Sequence, residues 1–270
     1  MLTRRHIRVK VMQCIYALNQ SKEESLDKQQ KFLRSSIEDM YALYLLVLGL
    51  LAAIHDRAST HLRLSSKKYL SGSSDAYPDK EKFINNALLL QIADNKVLKA
   101  EMDRRKLKTW YLNEEYVKLI HKEIVRSPIY DAYMRSSQKG YEKDRQFLID
   151  IFREVIAPND KVYDFFEDDT ITWVDDMPII NTFVLKLFKK AKETSKYSFF
   201  LPRLLKDKVM DFAQDLLDKT LLNDGEWVRQ IEGKTPNWDK DRIAEVDAIL
   251  LKMAICELLN FPSIPEKVTL

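Results

Sequence analysis

Glycine and proline are scarce in this chain: 5 and 8 among 270 residues. Sheet proteins need many tight turns, and tight turns use both residues. Their shortage argues against an all-β fold and for an all-α one. Cysteine is nearly absent. Cys14 and Cys256 lie far apart in sequence, so they form neither a disulfide framework nor a zinc-ligand spacing. No strong excess of either charge exists: 44 Lys+Arg face 41 Asp+Glu, for a formal net charge of +3. Hydrophobic residues make up 46%, which suits a folded chain and excludes global disorder. The N-terminus, MLTRRHIRVKVMQ, is basic but lacks the apolar core of a signal peptide. The most apolar window, 41–54, is shorter than the ~20 residues that span a bilayer, so a buried core helix and a cytoplasmic protein are expected.

Catalytic signatures are missing as well. There is no Gly-x-Ser-x-Gly elbow and no glycine loop to cradle phosphate. His6, His55, His61 and His121 are scattered, and His55 and His61 are six apart, which does not fit one helix face. The acidic run 164–176 holds six carboxylates, but the places where a calcium loop needs Gly and Glu hold Asp169 and Asp175. That run reads as a charged loop, with 170–174 as a short extended stretch. No enzyme, metal or cofactor is expected.

What is present is helical periodicity. Residues 3–20 predict a helix with Thr3 as N-cap and Ile7, Val11, Cys14, Ile15 and Leu18 on one face. One or two helices follow over 29–63, with 40–54 apolar on almost every side. Ser65 to Pro78 reads as linker, and 79–157 is helical but more polar. Pro178 fits the first turn of a helix reaching about Lys192. Residues 206–222 predict a helix with Val209, Phe212, Ala213, Leu216, Leu217 and Thr220 inward, broken near Asp224-Gly225. A turn at 233–237 and a cap at Asp239 lead into the last long helix. There Ile243, Val246, Leu250, Met253, Ala254 and Leu258 are expected to face a core, with Pro262 and Pro265 ending it.

The first twenty residues hold Arg4, Arg5, Arg8 and Lys10 and no acid. Arg5, Val9, Gln13 and Tyr16 fall opposite the apolar face, with Arg8 at its border. Guanidinium groups, an amide and a ring on one surface suit a single RNA strand: cations meet phosphate, amides meet base edges, and rings stack. A solvated cationic helix start is the alternative. Two other basic clusters, Arg104–Lys108 beside Trp110 and Lys186–Lys192, read as solvated faces and as secondary phosphate contacts.

The two ends of the chain resemble the NusB family of transcription antitermination proteins. At the N-terminus the resemblance lies in Arg4-Arg5-His6-Ile7-Arg8, then Gln13 and Ile15-Tyr16-Ala17. At the C-terminus it lies in Trp238, Arg242-Ile243, Val246-Asp247, the run 249–258 (ILLKMAICEL), Pro265 and Lys267-Val268. The resemblance implies an all-α, NusB-like bundle formed by 1–64 and 206–270, with a mainly helical insertion at 65–205 of the kind found in long Bacteroidetes-like forms. It implies binding to boxA-type ribosomal RNA leader transcripts together with NusE, a small-subunit ribosomal protein, within an RNA polymerase antitermination complex. By the same resemblance Arg4, Arg5, Arg8, Gln13 and Tyr16 contact RNA, and Asp247 meets NusE. Lys252 stands where the family has Arg, and Cys256 where it has an aromatic residue. The family also continues beyond the position of Leu270 with two further helices, so a truncated form with exposed apolar surface is expected. Two other readings compete: the RNA-binding part of a ribosomal RNA cytosine methyltransferase-like protein, and a helical docking scaffold. The first would need a downstream cofactor domain. The second should tolerate salt far better than RNA binding.

Overall fold

The computed structural model describes residues 2–21, 25–68, 77–170, 172–203, 208–234 and 243–269, and all of its regular structure there is helical. The contacts divide into two compact units, 1–38 with 203–270, and 39–202. The dividing line falls inside a helix, at 38/39, and not at the Ser-rich linker.

In the first unit, α1 (Arg4–Ser21) packs on α11 (Val209–Leu222) and α13 (Glu245–Asn260). The remaining elements are the start of α2 (Leu26–Lys68), α12 (Asp224–Lys234) and α14 (Glu266–Thr269). Thr3 opens α1: its carbonyl accepts from the Ile7 N–H at 3.1 Å, and its own N–H donates to His6 Nδ1 at 3.1 Å. The buried face of α1 is Ile7, Val11, Cys14 and Ile15, as the periodicity requires. The α11 face is also as expected, with Phe212, Ala213, Leu216, Leu217 and Thr220 buried. Gln30 ties α2 to α11 through two bonds to Asp218, at 2.9 and 2.7 Å.

α13 differs from the sequence reading. Ile249, Met253, Cys256 and Glu257 are buried, while Val246, Leu250 and Leu258 are exposed. The helix is apolar on nearly every side, so periodicity alone does not choose its inward face. Its first residue is Glu245 and its cap position is Ala244. The Asp239 cap, the end of the 233–237 turn, Trp238 and Arg242 lie outside the described residues. Asp224-Gly225 does not break the chain but opens α12; the break is at Asn223.

The second unit takes the rest of α2 together with α3 (Ala87–Ala93), α4 (Lys96–Arg104), α5 (Thr109–Leu112), α6 (Glu114–Arg126), α7 (Pro128–Arg135), α8 (Tyr141–Ile151), α9 (Asp160–Asp169) and α10 (Trp173–Lys190). α2 is one continuous helix. It includes a stretch long and apolar enough to cross a membrane by length and composition, longer than the window read from sequence, and 78% of it is buried inside the protein. Residues 40–51 are all buried. Polar ends of buried rings are satisfied by backbone: Tyr44 Oη donates to the Phe200 carbonyl at 2.7 Å, Trp110 Nε1 to Leu46 at 2.7 Å, and Trp173 Nε1 to Asp39 at 3.0 Å. Asn86, Asn95, Ser127 and Asn159 cap α3, α4, α7 and α9 with side-chain oxygens.

Two expectations fail here. The acidic run is not a loop with an extended stretch. Its first half completes α9, whose Val162 and Phe166 are buried, and its second half opens α10. Acids in the first turn of α10 complement the helix dipole. Pro178 is also not at the helix start, because α10 begins five residues earlier, at Trp173.

Gly49 marks a close approach. A Cβ there would sit 2.6 Å from Met102 Cε and 3.4 Å from Trp110 Cδ1. Gly49→Val is expected to destabilise by about 2 kcal/mol, through overpacking. Gly49→Ala should be near neutral, since Met102 can swing aside and alanine gains about 1 kcal/mol of helix propensity. Thermal melting of both variants checks this.

Candidate nucleic-acid interface

α1 carries the candidate site, and the packing sorts its charges. Lys10 is 2% exposed, on the buried face. Of the four cations in the first twenty residues, it adds nothing to an outward basic surface. Arg4 and Arg5 are exposed. Arg5 has no ion pair among the described residues.

Arg8 is committed inward. Its Nε donates to Glu257 Oε2 at 2.7 Å and its terminal nitrogen to Oε1 at 2.5 Å. Glu257 is 1% exposed and also accepts from Thr269 Oγ1 at 2.6 Å. Burial pushes its carboxyl up. The Arg8 fork, the Thr269 hydroxyl and the nearby Arg4 charge outweigh burial, and the net shift is downward. Arg4 and Arg8 both lie over the Phe212 ring, at 5.5 and 5.9 Å from its centroid. Arg4 therefore keeps its full charge at the surface, beside a ring.

Beside them opens a cleft of about 640 Å³ whose lining includes Arg4, Arg5, Arg8 and Met12 from α1, Leu250 from α13 and Val268 from α14. Further along α1, Val9 and Tyr16 are exposed on the side that bears Arg5. Arg5 and Tyr16 are eleven residues apart, or about 16 Å at 1.5 Å per residue. Gln13 is half-buried at the edge of this face. The arrangement offers fixed cations at one end, an apolar middle and a ring at the other.

Asp247 is exposed in the first turn of α13. It heads a surface along which Leu250 and Leu258 are exposed and Ala254 half-buried, one helical face with an acid at its top. Lys252 donates to Asp224 Oδ1 at 2.7 Å and so ties α13 to α12. The secondary basic cluster at 104–108 is partly neutralised within its own helix. Arg104 and Arg105 donate to Glu101 at 2.8 and 2.7 Å and hold its carboxyl down to about 2. Both cysteines are buried and unbridged, and burial pushes the Cys14 thiol up to about 12. No His, Cys, Asp and Glu grouping suited to a metal occurs among the described residues.

Comparison with known proteins gives a consistent answer for the C-terminal third. Residues 179–270 match the NusB family model. Transcription antitermination protein NusB of Salinibacter ruber is 44% identical over 59 residues, covering 22% of this chain and 37% of that protein. NusB of Geotalea daltonii is 41% identical over 59 residues, 22% of this chain and 41% of its own length. NusB of Listeria monocytogenes serotype 4b is 27% identical over 70 residues, 26% of this chain and 55% of its own. The chain thus aligns with about two-fifths to a little over half of these relatives. No solved structure gives a significant match.

Proposed function

We propose that this chain, in which residues 179–270 form a NusB-family domain, is an RNA-binding transcription antitermination factor of the cytoplasm with no catalytic step of its own. Its substrate is a boxA-type single strand in ribosomal RNA leader transcripts, bound together with NusE within an RNA polymerase antitermination complex. The observation that carries this reading is the outward face of α1, where Arg4, Arg5 and Tyr16 are exposed beside a cleft floored by α13 and α14. α1 lies outside the matched segment, yet it packs directly on α13, which lies inside it. Resemblance at the N-terminus therefore meets the later part of the matched segment, from 203 onward, in one compact unit.

In this reading Arg4 and Arg5 neutralise phosphate, Tyr16 stacks a base, and Gln13 meets a base edge. Arg8 acts mainly by holding the cleft wall, since its fork is engaged by Glu257. Asp247 and the apolar row behind it receive NusE. The insertion expected at 65–205 overlaps the family match, which begins at 179; in this reading the inserted part ends before that position.

The test is fluorescence anisotropy of a labelled boxA-like RNA beside a scrambled one, at two salt concentrations, with and without NusE. The expected result is preferential, salt-sensitive binding to boxA that NusE strengthens. Equal, weak binding to both RNAs, unchanged by NusE, would remove the proposal in favour of a docking scaffold.

A further inference from the structure

The 39–202 unit contains a second basic concavity, of about 560 Å³. α6 places Lys118, Lys122 and Arg126 along one stripe at i, i+4 and i+8, with His121 beside them. α2 places Arg57 and His61 opposite, one turn apart, and Lys80 adds a further cation. Tyr77, Phe83 and Tyr130 complete the wall. No carboxylate lines it among the described residues. Lys118 is paired with Glu114 at 3.0 Å. Arg57, Lys122 and Arg126 have no ion pair among the described residues, and Arg57 Nε is buried with no hydrogen-bond partner. Asp131 accepts from the Tyr77 hydroxyl at 3.2 Å and pairs with Arg135, and Asp56 and Glu114 line a separate cleft of about 350 Å³ that shares Arg57 and Lys118.

A cavity that gathers like charges stores repulsion unless an anion enters. His121 registers it: burial, then His61, then Arg57 push the imidazole down to about 4. The His61 and His121 rings are 6.1 Å apart between centroids. The aromatic side is a connected set, with Tyr77 edge-on to Tyr130 at 6.0 Å and Phe83 to Tyr130 at 5.4 Å. Cations converging from two helices match several phosphate groups better than one. An aromatic wall matches a planar base. The volume falls within the range of about 300–1,000 Å³ typical of small-ligand sites.

We propose that this concavity binds a free nucleoside polyphosphate, with its phosphates on Arg57, Lys122 and Arg126 and its base against Tyr77 and Tyr130. The site is independent of the α1 face and adds a small-molecule input to a protein otherwise read as an RNA binder.

Equilibrium dialysis of the whole chain against radiolabelled ATP and GTP tests it. The Lys122→Ala, Arg126→Ala double variant removes two exposed side chains, and its melting temperature should match the parent. At least one nucleotide should bind saturably, and the double variant should weaken that binding by roughly tenfold or more, from the loss of two charge-assisted contacts. An Arg4→Ala, Arg5→Ala variant should bind the nucleotide as the parent does. The proposal is overturned by absence of saturable binding or by equal binding to the folded double variant. It is also overturned by inorganic tripolyphosphate binding as tightly as the nucleotide, or by a short RNA occupying the site when mononucleotides do not.

Discussion

Arg8→Ala should destabilise the unit formed by 1–38 and 203–270 by about 3 kcal/mol, the lower end of the cost of breaking a buried ion pair. Removing Arg8 strips Glu257 of both fork bonds and leaves a carboxylate that is 1% exposed with only the Thr269 hydroxyl. The Arg8 side chain is 20% exposed, so water reaches part of the vacated space and limits the loss. A double variant, Arg8→Met with Glu257→Leu, removes both charges and keeps volume. It should recover most of the loss, because a paired buried charge is worth little more than good apolar packing. Urea unfolding followed by circular dichroism measures all three proteins. If Arg8→Ala shifts the midpoint no more than an exposed-surface substitution, the pair is not structural.

Acid should expose the same pair. Glu257 is held below its ordinary value in the folded protein. A carboxylate lowered on folding contributes stability that is complete above its unfolded pKa, about 4.3, and is lost as pH falls through the folded value. Melting temperatures recorded downward from about pH 5 should therefore fall less steeply for Glu257→Gln than for the parent, from a lower starting point.

The pair also explains what the sequence could and could not convey. α1 and α11 were legible because each has one apolar face and one polar face, so Ile7, Val11, Phe212 and Leu216 could point only one way. α13 was not. Its apolar residues encircle it, and the inward face contains a charged residue, Glu257, whose charge alone suggests solvent. Only knowledge that Arg8 lies across from it, 249 positions away, turns that charge inward. Lys10 misled for a similar reason, since its stem belongs to the buried stripe although its charge suggests solvent. The second basic cavity left a partial trace in the Lys118, Lys122, Arg126 spacing. Its other half lies on α2, and pairs such as His61 with His121 arise from tertiary packing alone. The charge density of the acidic segment suggests a loop, while the Val162–Phe166 spacing makes its first half a helix.

Arg4→Ala with Arg5→Ala should lower affinity for a boxA-like strand on the order of tenfold and leave the fold intact. Each phosphate contact on a single strand contributes about 0.7 to the slope of log K against log salt, so the double variant should flatten that slope by roughly 1.4. Both side chains are exposed, and the main internal contact between them is that of Arg4 with the Phe212 ring, worth about 0.5–1 kcal/mol. The variant thus separates binding from stability in a way that Arg8→Ala cannot, because loss of the Glu257 pair would perturb the cleft itself. Lys189→Ala with Lys190→Ala removes the same amount of charge from α10, where both side chains are exposed. If binding is only a response to net charge, the two double variants will weaken it equally. If the α1 face is the site, the α10 variant will keep both the parent affinity and its preference for boxA over a scrambled strand. Equal losses in the two would return Arg4 and Arg5 to the role of a solvated helix start.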